Sequence, residues 1–143
     1  MRKAIFTSAL ALVISSTWAQ AQSFTAINRL TVVPLNAHDF EVIEQRGEGA
    51  RGIWCAAAQF ALERGKATNA AEIYVKRPRG AAVSAAGRRG VVFTTKPAGF
   101  TPFSSYSVSI RQKGMALPAG HAVQFCKDYL IELEDSILFR KRY

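Results

Sequence analysis

The chain predicts an α+β fold: a single antiparallel sheet of about five strands, one or two helices packed on one face, and one disulfide. Three observations lead there. Short segments rich in branched residues outnumber helical ones. The connections between them are brief enough for antiparallel pairing. Two cysteines, Cys55 and Cys126, follow a segment that reads as a secretory leader, and an even pair in an oxidising compartment is read first as a bridge.

That leader covers residues 1–21. A basic start (Arg2, Lys3) precedes an apolar run from Ala4 to about Ile14, and Ala19-Gln20-Ala21 supplies a small-residue cleavage pattern. The run is too short to span a bilayer, which takes about 20 apolar residues. No later stretch comes close, so no integral membrane span is expected. No cysteine stands directly after the cleavage site, which argues against a lipid anchor, and the basic start holds no Arg-Arg pair to mark a folded-export route. Residues 22–143 are then one domain with a basic C-terminal tail, expected in the periplasm or outside the cell. The formal net charge of +9 falls by two when Arg2 and Lys3 leave with the leader. A basic exported domain suits anionic envelope polymers or lipid headgroups.

The elements follow in order. Ile27 to Val33 is a branched run stopped by Pro34 and reads as a strand. Asn36-Ala37-His38-Asp39 carries turn chemistry, and Phe40 to Gln45 forms the second arm of a hairpin, half exposed because of Glu41 and Glu44. A glycine-rich joint, Gly47 to Gly52, leads into the clearest helix, about Ile53 to Arg64. Ile53, Ala57, Phe60 and Ala61 recur there at helical spacing, and Gly65 ends it. Ala71 to Lys76 and Val91 to Thr95 are two further strands, joined by a loop punctuated by Pro78, Gly80 and Gly87. Tyr106, Val108 and Ile110 alternate with serines and Arg111, which predicts a fifth strand with one wet face. Pro118 opens a helix from about Ala119 to Asp128. Beyond it helical and period-2 patterns compete.

Candidate chemistry is sparse. Gly47, Gly49 and Gly52 match G-x-G-x-x-G between a strand and a helix. A dinucleotide fold needs an apolar central strand and two βαβ halves, whereas Glu41 and Glu44 lie in the preceding strand and the chain holds room for one unit. The match reads as a tight turn, and no cofactor is expected. His38 and His121 lack metal-ligand spacing, so no metal site is expected. Trp54 reads as a core anchor.

Cys55 near a helix start and His121 after Gly120 resemble the nucleophile and base of papain-like cysteine peptidases and transglutaminase-like enzymes. That resemblance implies a hydrolase or acyl transferase. The Cys-Gly-Ser-Cys-Trp type of signature is missing, Trp54 precedes the cysteine, and Asp128 and Asp135 are only nominal third members. Pairing of Cys55 with Cys126 is the simpler reading, and closing so long a loop would stabilise the fold by about 4 kcal/mol.

Lys76, Arg77, Arg79, Arg88 and Arg89 surround one inter-strand loop. If its strands pair as a hairpin, these cations gather at one end of the sheet and could hold phosphate or carboxylate groups, or present a basic loop to an acidic enzyme as an inhibitor would. Solvated surface is the competing reading. Arg140, Lys141 and Arg142 form the basic tail, either ligand-binding or disordered. Tyr74 and Phe93 would offer stacking surfaces if they faced outward.

The blocks Phe40-Glu41-Val42-Ile43-Glu44, Gly52-Ile53-Trp54-Cys55-Ala56-Ala57 and Val123-Gln124-Phe125-Cys126 are similar to small exported proteins of Gram-negative bacteria. The resemblance implies a periplasmic or secreted domain whose two cysteines belong to one structural feature, and it implies no activity. Together these readings favour a non-enzymatic envelope domain that binds an anionic polymer or another envelope protein.

Overall fold

The computed structural model describes residues 22–141, so the expected leader and Arg142 lie outside it. Six strands form one antiparallel sheet in the order β1-β2-β3-β5-β4-β6. They are β1 (Phe24–Thr25), β2 (Thr31–Pro34), β3 (Asp39–Ile43), β4 (Glu72–Ala81), β5 (Arg89–Thr94) and β6 (Ala116–Pro118). The expected hairpin is present, with Val32 opposite Val42 and Thr31 opposite Ile43. β3 then pairs with β5, and β5 with β4.

Helix α1 (Ala50–Glu63) crosses one face of the sheet. Period-2 alternation turns Phe40 and Val42 of β3, with Val91 and Phe93 of β5, into one core. Phe60 of α1 meets Phe40 with ring centroids 4.8 Å apart, and Trp54 meets Phe93 edge-on at 4.9 Å. The Trp54 Nε1–H donates to the Val108 carbonyl at 3.2 Å, so the indole is a satisfied core anchor as expected. Ile53 through Ala58 are all buried, an unbroken run. An amphipathic surface helix would not bury so many consecutive positions. Here a second layer covers α1: the short helix α2 (Ala119–Ala122) and a 3₁₀ turn, Val123–Phe125. The alanines let both neighbours approach closely.

The Cys55–Cys126 disulfide locks that layer, with Cα atoms 5.0 Å apart and a sequence separation of 71. Cys126 begins α3 (Cys126–Arg140), and it is the only residue of α3 that is buried. The ambiguous C-terminal stretch is therefore helical throughout. α3 packs against α1 and the 3₁₀ turn.

Two expectations are corrected. The predicted strand over Tyr106–Ile110 is irregular chain. Its serines compete with a ladder: Ser105 Oγ accepts from Ser107 N at 3.1 Å, and Ser109 Oγ from Arg111 N at 3.2 Å. The sheet edge goes instead to β6, which the sequence reading missed along with β1. The loop expected over residues 76–90 is mostly strand, because β4 runs on to Ala81 through register shifts on either side of Arg77. Pro78 falls in the second irregularity, where a missing N–H is tolerated.

Candidate anion-binding site

The face of the sheet away from α1 carries two acidic side chains from β3. Asp39 and Glu41 alternate with the core residues of β3, and Glu44 follows the strand. Contrary to the half-exposed strand expected, β3 is buried along its whole length, and Glu41 is only 1% exposed. The tip of the β4–β5 hairpin curls over it. Val83 N and Ser84 N each donate to the Glu41 carboxylate at 2.7 Å, and the Ser84 hydroxyl donates as well. Gly90 leaves the room for this, since a Cβ there would meet Glu41 Oε1 at 2.8 Å and the Val42 carbonyl at 3.0 Å. Glu41 thus fixes the position of the tip.

The five expected cations do not form one group. Lys76 lies part-way along β4 and donates to Asp39, which also accepts from Asn36 Nδ2 at 2.9 Å. Burial alone would raise the Asp39 carboxyl. Hydrogen bonds from Lys76, Thr94 and Asn36, with the Lys76 charge, hold it below its ordinary value instead. Arg77 is exposed on the strand.

Arg79, Arg88 and Arg89 do converge, and they converge on Glu44. Arg79 grips the carboxylate with two donors, Nε at 2.8 Å and an Nη nitrogen. Arg89 Nε stands 3.6 Å from it, and Arg88 donates to the Glu44 carbonyl at 3.3 Å. Glu44 thereby draws the guanidinium groups together while neutralising one of them.

Arg46, absent from the sequence expectation, completes the group. It lies with Glu44, Gly47, Gly87, Arg88 and Arg89 around a shallow depression of about 310 Å³. Its φ is +59°, in the left-handed region that L-residues enter at a cost, and Gly47 follows at +68°. The back-to-back left-handed pair turns the chain out of β3 beside the hairpin tip. The available signal was Arg46 standing between the expected strand end at Gln45 and the glycine-rich joint that begins at Gly47.

The other candidates resolve differently. Cys55 is 1% exposed and its sulfur is bonded to Cys126, so it has no thiolate to act as a nucleophile. His121 is exposed and stacks edge-on with Phe125 at 5.5 Å. Asp128 holds Arg51 at 2.6 Å, and that hydrogen bond keeps its carboxyl below the ordinary value. His38 lies in an exposed turn, its Nδ1 3.4 Å from the Thr95 hydroxyl. Among the described residues no group of three or more His, Cys, Asp and Glu side chains is placed to hold a metal. No described helix is long and apolar enough to cross a membrane. Phe93 is fully buried and Tyr74 half-buried against Phe100, so neither is the outward stacking surface considered above.

Gly52, the last glycine of the G-x-G-x-x-G match, serves packing. A Cβ there would overlap the Glu48 carboxyl, and Asn28 donates to the Gly52 carbonyl at 2.8 Å. Glu48, Arg51, Asp128 and Glu132 line a neighbouring cleft of about 430 Å³. Burial first, and the Glu132 charge second, push the Glu48 carboxyl above its ordinary value. No protein-family model, curated protein or solved structure matches the chain.

Proposed function

We propose that this is a small exported, non-enzymatic envelope domain that binds an anionic ligand through the tip of the β4–β5 hairpin. The observation that carries this reading is the depression where Arg46, Arg88 and Arg89 meet, its single carboxylate already gripped by Arg79. Two engaged carboxylates hold the site in shape: Glu41 pins the tip and Glu44 orients the arginines. Clustered guanidinium groups with free donors favour carboxylate, phosphate or sulfate groups. The disulfide and the leader-like N-terminus support an oxidising compartment, where anionic polymers are abundant.

Retention on immobilised heparin tests the reading. The protein should bind and elute at raised salt, and the double variant Arg88→Ala/Arg89→Ala should elute far earlier with unchanged far-UV circular dichroism. Equal elution of the variant and the wild-type protein would remove the hairpin tip from consideration.

A further inference from the structure

The arginine depression is not isolated. Arg79, the partner of Glu44, also lines a second depression of about 360 Å³ with Arg111, Ser107, Ser109 and Ile110. Arg79 lines the second depression, and its guanidinium holds Glu44, which lines the first. Its backbone N–H donates to the Ile110 carbonyl at 3.0 Å and so fixes the Ser107–Arg111 segment against β4. The Arg79–Glu44 ion pair is therefore the link between the two depressions. Among the described residues five arginines, Arg46, Arg79, Arg88, Arg89 and Arg111, line them against one carboxylate.

We infer that the ligand is a linear anionic polysaccharide lying along this strip, with repeating charges engaging both depressions. This rests on the anion-binding reading and goes beyond it in naming ligand class and length. Two observations favour a chain of sugars. A single small anion would occupy one depression and leave Arg111 unused. Among the described residues neither depression is lined by an aromatic ring, whereas single-stranded nucleic acid is held largely by base stacking on such rings. The serines beside Arg111, Ser107 and Ser109, supply hydroxyls suited to sugar hydroxyl and carboxylate groups.

Length dependence tests the inference on the full oxidised protein. Calorimetric titration with a sulfated heparin disaccharide and with an octasaccharide should show affinity rising by about tenfold or more with length, as the second depression becomes engaged. Arg111→Ala should remove most of that gain and leave disaccharide affinity within about twofold, while Arg111→Lys, which keeps the charge, should retain part of it. Arg88→Ala/Arg89→Ala should weaken both ligands. Disaccharide binding with no gain on lengthening, or a gain that survives Arg111→Ala, overturns the strip and leaves the anion-binding reading standing. Failure of both ligands to bind overturns both. Tighter binding of a single-stranded oligonucleotide of equal charge overturns the polysaccharide assignment.

Discussion

Glu41 is a carboxylate set inside a sheet, and its partners show what it does. Three donors from the hairpin tip converge on it, two of them backbone N–H groups that would otherwise be unpaired under the tip. Replacing Glu41 with Ala removes the acceptor and strands those donors, so it should destabilise the protein by about 2–3 kcal/mol and loosen the tip. Gly90→Ala should act on the same contact from the opposite side, forcing a Cβ into the Glu41 carboxyl at a cost of about 1–3 kcal/mol. Chemical denaturation of each variant measures the loss, and hydrogen exchange at Val83 and Ser84 localises it. Arg46 makes the contrasting case. Arg46→Gly relieves a positive φ and should stabilise the fold by up to about 1 kcal/mol, yet shorten heparin retention. Retention unchanged in this variant would exclude Arg46 from the site.

Elements are held by unequal means. Helix α1 is gripped on two sides, by the sheet and by the α2 layer, and Trp54→Ala should lose about 3–5 kcal/mol as for any large buried ring. The α2 layer depends on the disulfide. Replacing both cysteines with Ala should lower stability by about 4 kcal/mol, the chain entropy released when so long a loop opens. The native reduced protein should also show faster amide exchange in α2 and the following turn than in the sheet. α3 is different again, since beyond Cys126 every residue is at least partly exposed. Its removal after Asp128 should change the unfolding midpoint little. The hairpin, α1 and the helical start at Ala119 were legible because each shows its own period and its own punctuation. The Ser105–Arg111 stretch misled because alternation of serine with apolar residues looks the same whether the serine hydroxyls face water or bond their own backbone.

At the scale of the molecule, charge sets the response to pH. Asp39 and Asp128 titrate below their ordinary values in the fold, so the stability they add is complete above about pH 4 and drains away as pH falls through the lowered values. Glu48 has the opposite sign. Its raised value means its contribution is present in acid and is lost as pH rises through it. Denaturation followed from about pH 7 to pH 3 should therefore show a loss below about pH 4 that is shallower in Asp39→Asn. Glu48→Gln should be more stable than the wild-type protein at neutral pH, with the difference vanishing in acid. A wild-type-like slope in Asp39→Asn would contradict the role assigned to its Lys76 and Asn36 partners.

The α+β class, the hairpin of β2 and β3, helix α1 and the Cys55–Cys126 pair were readable from the chain alone, because local period, turn chemistry and parity are written residue by residue. The sequence also marked Lys76, Arg77, Arg79, Arg88 and Arg89 as one group, of which Arg79, Arg88 and Arg89 converge on Glu44. Which cations lie together follows from strand pairing instead. Glu41 and Glu44 read as solvent-facing in one dimension, yet strand pairing brings each under the hairpin. That pairing sends Lys76 to Asp39, recruits Arg46 from the joint and carries Arg111 alongside from a loop. The partners of a charge are set by contacts distant in sequence, and no local pattern encodes them.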